Sequence, residues 1–311
     1  MRRSPAAAGG HGVGIDIGDS AVRLVDIVGS RLLRWSVAPL PPGAMASGAV
    51  RDAAAVADAV RRVLSASGAA GQSIISGVPG AACFIRRMQF PDLAPKDLQR
   101  AVRWEAERLL PYPFADAVVD YDVLVRREEQ GKPVTDVVLV GARAEVVDGL
   151  RAVVEAGGAR LGALDAVPLA RLRAFRREVT APGVLLVHLG TQWTELTAAD
   201  EHGFVFTRTV STAEPGTRTV LDEVVRSVRF FETQAGTQIT KILLTGAGAE
   251  APNAVEMFAA ADLPPAALVD PLAALQRDPS VSPPPALTLA AAAGLATRGA
   301  GTPAAREVPW R

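Results

Sequence analysis

Cysteine and lysine are almost missing from this 311-residue chain, and so are long apolar runs and any surplus of charge. Cys83 is the single cysteine, which excludes an internal disulfide and a cysteine-rich zinc site. It lies in an apolar stretch and reads as a packing thiol. Lysine occurs only as Lys96, Lys132 and Lys241, so arginine carries nearly all the positive charge. Lys+Arg and Asp+Glu number 33 each, for a formal net charge of zero. Neither a nucleic acid nor an anionic membrane is therefore expected as the main partner. No stretch approaches the ~18 consecutive apolar residues of a membrane span, and the alanine-rich run from Ala286 to Thr297 is too short. Met1 to Gly10 has Arg2 and Arg3 but no apolar core, unlike a signal peptide, and is expected to be a flexible arm. These absences predict a soluble, cytoplasmic protein whose association with any membrane has to come through a partner.

The length suits two domains, or one large domain with subdomains. VGIDIGDSAVRLVDIV reads as two strands around Gly18-Asp19-Ser20, and Arg31 to Val37 as a third. Asp52 caps a helix whose Ala53, Val56, Val60, Val63 and Leu64 form one stripe, and Ser73 to Val78 is the next strand. A block of β-α-β-β-α-β order follows. Its parts are a strand from Cys83 to Phe90, a helix from Pro95 to Leu109, a strand from Val118 to Val125, a charged turn from Arg126 to Pro133, a strand from Val134 to Ala142, a helix from Ala144 to Ala156, and a closing strand from Leu161 to Val167. From Gly183 the opening pattern restarts: three strands between Val184 and Val210, a helix with Val220, Leu221, Val224, Val225, Val228 and Phe231 on one face, a strand from Ile242 to Thr245, a turn at Gly246-Ala247-Gly248 and a helix to Ala261. Ala286 to Ala296 is a small-residue helix suited to close packing on a sheet, and the tail beyond Gly299 is loose unless Trp310 docks it.

The helix of the block carries the rarest wording, AVRWEAERLLPYP from Ala101 to Pro113. Leu98, Ala101, Val102 and Leu109 make its apolar stripe, Pro95 suits its first turn, and Pro111 ends it. A Trp-Glu-Ala-Glu helix closed by Pro-aromatic-Pro resembles a signature of the PilM family, actin-like proteins of type IV pilus assembly. GIDIGDSAVRLVDI, RRMQFPDL and FFETQ…KILLTGAGA resemble the same family, over Gly12 to about Gly299. The resemblance implies an α/β, actin-like (ribonuclease H-like) duplicated fold of the kind shared by actin, Hsp70 and sugar kinases, with the β-α-β-β-α-β subdomain of FtsA and PilM inserted. Its implied divisions are subdomain 1A at residues 11–81 and 166–180, the insert 1C at 82–165, a second domain at 183–299 and a tail at 300–311.

A glycine turn between strands points backbone N–H groups at a phosphate. Gly18, Asp19 and Ser20 suit this, with Asp16 at the strand end to hold hydrated Mg²⁺, although a plain hairpin turn has the same wording. Within the family resemblance they match the first phosphate loop, and Arg23 stands where relatives often have lysine. The second loop, Asp-x-Gly-x-x-x-Thr in relatives, here reads His188-Leu189-Gly190-Thr191-Gln192-Trp193-Thr194. His188 replaces the carboxylate and is a poor magnesium ligand. Gly246 and Gly248 resemble the adenosine-side turn, and Glu223 and Arg226 are candidates near the ribose and base, or an exposed helix face. Only about a dozen residues, Val210 to Val220, replace the helical subdomain 2B that covers the nucleotide in relatives, so one wall is reduced or absent. ATP and Mg²⁺ are thus expected to bind weakly, without useful hydrolysis.

The family also implies a partner site. PilM proteins accept the cytoplasmic N-terminus of the membrane protein PilN in a groove between subdomain 1A and the insert. Phe84, Arg86, Met88 and Phe90 alternate with Ile85, Arg87 and Gln89 along the bordering strand, and either set can face the groove. Phe90 and Trp104 read as structural. The implied function is a non-enzymatic adaptor of the pilus inner-membrane platform, with pilus motor or platform proteins as further contacts and homo-oligomers as an option. The alternatives are an active ATPase of this fold and the cytoplasmic part of a type II secretion L-type protein. No carboxylate suits a sugar kinase.

Overall fold

The computed structural model describes residues 10–179, 183–211, 218–259, 261 and 263–301. The expected N-terminal arm, most of the bridge after Val210 and the tail with Trp310 lie outside these residues. The first unit runs β1 (His11–Ile17), β2 (Ala21–Val28), β3 (Arg31–Pro39), the short β4 (Met45–Ala46) and β5 (Ala49–Val50), α1 (Ala53–Ser67) and β6 (Ser73–Val78). Asp52 caps α1 as expected, its Oδ1 accepting the Ala55 N–H at 2.9 Å. Gly68, at φ 63°, ends the helix in the left-handed region that glycine adopts freely. Next come β7 (Cys83–Pro91), α2 (Pro95–Leu109), β8 (Ala117–Glu129), β9 (Lys132–Arg143), α3 (Ala144–Ala156), β10 (Arg160–Ala166) and α4 (Val167–Ala174). The second unit is β11 (Val184–Leu189), β12 (Trp193–Asp200), β13 (Gly203–Ser211), α5 (Arg218–Ala235), β14 (Lys241–Thr245), α6 (Ala254–Ala259), β15 (Ala266–Leu268), β16 (Gln276–Arg277) and α7 (Ala290–Gly301).

The duplication is visible in the sheets. One is ordered β10-β6-β1-β2-β3-β16 and the other β13-β12-β11-β14-β15. In each, three antiparallel strands begin the unit, and its first strand then takes a parallel neighbour, β6 in one sheet and β14 in the other. Val13, Ile15 and Ile17 of β1 face α1 and α3 in one core. Leu185, Val187 and Leu189 of β11 face α5 and α6 in a second core. This is the alternation a strand shows when helices cover the sheet.

The inserted block keeps its predicted order but not its predicted closure. β7, β9 and β8 form a three-stranded sheet under α2, with Leu98, Val102 and Ala106 of the helix buried on Val137 and Leu139. The last helix and strand leave this sheet. β10 pairs parallel to β6, and Val146, Val147, Leu150, Val153 and Val154 of α3 join the core of the first unit. They go there because β6 has an open parallel edge and α1 leaves apolar surface beside it. The charged turn also differs. Both strands run on through the charges to a two-residue link at Gln130-Gly131, where φ is 50° and 75°, since charged side chains on an exposed hairpin remain in water.

The small-residue helix starts at Ala290 rather than Ala286, after a single 3₁₀ turn. It lies on β1 as expected. Side chains at Gly12 and Gly14 would overlap the carbonyls of Ala296 and Ala292, and one at Gly294 would overlap that of Ala170 on α4. Here glycine is required by close approach.

Candidate functional site

Both glycine turns open onto one cleft between the two sheets. In the first, the Gly18 N–H donates to the Ala21 carbonyl at 3.1 Å. Asp16 and Arg23 face each other across β1 and β2, with the guanidinium 3.8 Å from the carboxylate. Burial, and next the Asp16 charge, raise the Asp19 carboxyl above its usual range. In the second turn the Gly190 N–H donates to the Trp193 carbonyl at 2.9 Å, and His188 faces Glu195 across β11 and β12. Burial, then the charges of Arg171 and Arg23, push His188 well below the imidazole range, so the ring is neutral.

Seven of the predicted nucleotide residues share the lining of a cavity of about 90 Å³: Asp16, Gly18, Asp19, Ser20, Arg23, Gly190 and Thr191. Gly246 and Gly248 flank a lining residue, Ala247; Gly246, at φ 93°, lies against the His188 ring. Glu223 is elsewhere, ion-paired with Arg208 at 2.7 Å and with Arg226 on the flank of α5, and it does not line the cavity. On that flank Glu223 is half-buried and Arg226 exposed.

Two residues that the sequence did not single out dominate the cleft. Arg171 of α4 donates to Glu195 Oε1 at 2.6 Å, and both side chains are buried. The Glu195 carboxylate also lies against Gly80, where a side chain would overlap it. The period of β12 places Glu195 on the face of Trp193, but nothing in LARLRAF marks Arg171. Pockets that take drug-sized ligands occupy ~300–1,000 Å³, several times this cavity. A magnesium ion needs hard oxygen donors with free lone pairs. Asp16 lies beside Arg23, Glu195 is held by Arg171 and His188 offers nitrogen, which leaves Asp19 as the one lining carboxylate with no arginine in contact among the described residues, a poor donor set for a resident magnesium ion. Among the described residues no three His, Cys, Asp or Glu come together as a metal site.

A second, larger groove of about 390 Å³ adjoins the cleft and shares Gly80, Ala81, Trp193 and Thr209 with it. It runs past Ser47, Cys83, Phe84 and Ile85 of the first unit and the inserted sheet to Thr207 of β13. Phe84, Met88 and Phe90 pack toward α2, and Arg86 on the same side is exposed. Ile85 and Arg87 face the second unit. Ile85 packs against the core that holds Phe204, and Arg87 bridges Asp136 at 2.8 Å and Asp200 at 2.7 Å. Of the predicted partner residues, Phe84 alone lines the groove. Trp104 is not structural: it is 62% exposed on α2, under the Arg108 guanidinium at 5.4 Å. Phe90, partly buried beneath α2, is. Among the described residues no helix is long and apolar enough to cross a membrane.

Two duplicated sheets closing on one cleft through paired glycine turns define an actin-like α/β protein. The chain belongs to the PilM family: the model of type IV pilus assembly protein PilM matches residues 14–213. Its fold is similar to that in a PilM-PilN type IV pilus biogenesis complex, with a TM-score of 0.83 and 23% identity over 95% of this chain and 99% of that one. It is also similar to ethanolamine utilization protein EutJ from Carboxydothermus hydrogenoformans, with a TM-score of 0.53 and 13% identity over 95% of this chain and 90% of that one. A third likeness is to the cytoplasmic domain of EpsL, an inner membrane component of the type II secretion system of Vibrio cholerae. There the TM-score is 0.50 and the identity 11%, over 93% of this chain and 94% of that one.

Proposed function

We propose that this chain is a non-enzymatic cytoplasmic adaptor of the type IV pilus inner-membrane platform, one that captures the extended N-terminal segment of a PilN-like membrane protein. The groove beside β7 carries this reading. It is lined by small, uncharged and aromatic residues, and among the described residues β7 is an edge strand of its sheet, paired with β9 alone. An edge strand beside an uncharged trough of mixed polarity suits backbone pairing with an extended peptide. In the same reading the adjoining cleft is a weak or vestigial nucleotide site, because its volume is small and its two arginines already face Asp16 and Glu195.

Titration of a fluorescent PilN-type peptide tests the adaptor role, with micromolar affinity expected, near −8 kcal/mol. Ala81 is exposed and borders the groove, so Ala81→Arg should weaken binding at least tenfold without lowering the melting temperature. Met88 packs beneath α2, so Met88→Asp would mix folding with binding. Negligible binding by the unaltered protein sinks the proposal.

A further inference from the structure

The register of the duplication puts Glu195 at the position that Arg23 holds in the first unit. Its carboxylate projects from the second unit onto the first, resting on Gly80 and accepting from Arg171. We infer that Glu195 is a built-in stand-in for the anionic end of a nucleotide, closing the cleft of this chain without a ligand or a divalent cation. Arg171 supplies the opposing positive charge, and Gly80 supplies a ledge free of any side chain. This deepens, and rests on, the proposed weakness of the nucleotide site.

The charges around the cavity agree. Asp16, Asp19 and Glu195 face Arg23 and Arg171, while His188 is neutral. The wall is thus one negative charge in excess, and a polyphosphate added to it is repelled at low dielectric. Removing the Glu195 carboxylate brings the wall to neutrality and frees Arg171. Around the same cavity Arg23 Nε, Arg171 Nε and Trp193 Nε1 are buried donors with no hydrogen-bond partner among the described residues. They would meet an oxyanion that replaced the carboxylate.

Thermal unfolding of the full chain in EDTA tests this, with sodium phosphate or acetate titrated against chloride at equal ionic strength. Glu195→Ala should melt below the unaltered protein and recover saturably, by roughly 2 °C or more at millimolar oxyanion. The unaltered protein, and Glu195→Ala combined with Arg171→Met, should respond to neither. If Glu195→Ala does not accumulate folded, refolding yield is read instead and should rise with phosphate or acetate but not with chloride. An absent response in Glu195→Ala, or an equal one in the unaltered protein, overturns the inference. Calorimetry with MgATP separates the two readings. Micromolar binding by the unaltered protein sinks the weak-site reading, whereas weak binding there with no oxyanion response in Glu195→Ala sinks this inference alone.

Discussion

At the end of β1 an acid faces a base across the strands, Asp16 against Arg23; at the matching end of β11 a neutral imidazole faces an acid, His188 against Glu195. Two residues deeper, Gly14 of β1 corresponds to Leu186 of β11. The glycine admits the carbonyls of α7, while the leucine fills its space with Leu172 and Phe175 of the α4 region. One backbone plan therefore carries two fillings. The first unit binds its covering helix by close backbone approach and the second by side-chain volume. At the strand ends, Asp16 of the first unit finds its arginine within the unit, whereas Glu195 of the second needs Arg171 from the connection between the units.

That asymmetry can be broken from either side. Arg171→Met leaves Glu195 buried and unmatched and should cost about 3–5 kcal/mol in chemical denaturation; a loss below 1 kcal/mol would show the pair to be idle. Gly14→Ala pushes a methyl into the Ala292 carbonyl and should cost about 2–3 kcal/mol, by the same measurement. Arg23→Gln, the counterpart of Arg171 in the first turn, loosens only a 3.8 Å contact and should cost about 1 kcal/mol. If Arg23→Gln costs as much as Arg171→Met, the two turns are not asymmetric.

The pH dependence sharpens the comparison further. His188 is held neutral in the fold, so the unfolded chain takes up its proton first as the pH falls. Its contribution is complete above about pH 6.5 and is lost below that. His188→Asn should flatten the stability curve between about pH 6.5 and 5, and an unchanged slope would show that the ring is solvated. The smallest effect is expected far from both turns. Trp104→Ala, on the exposed face of α2, should move stability by no more than about 0.5 kcal/mol. A larger loss would mean that this side chain packs in solution.

Local pattern made much of this legible. The helix stripe of α2, its stop before Pro111, the Asp52 cap and the alternation of β1 and β11 each depend on neighbours a few residues away. The turn residues of the cleft were readable for the same reason, since Asp16, Gly18 and Gly190 sit at fixed offsets from strand ends. The placing of Glu223 was not legible, because its partners, Arg208 and Arg226, lie on its own flank of the second unit and hold it outside the cavity lining. Trp104 failed because an aromatic residue on an amphipathic helix looks the same to the sequence whether it faces the sheet or water.

The order of strands and helices, the repeated glycine turns and the helix signature were set by the chain itself, because propensity, capping and periodicity act over one or two turns of backbone. Folding in three dimensions alone decided that α3 and β10 desert the inserted sheet for β6, and that Arg171 meets Glu195 across 24 positions. Which open edge accepts a strand, and which buried charge finds its opposite, depends on surfaces that do not exist until distant segments have packed.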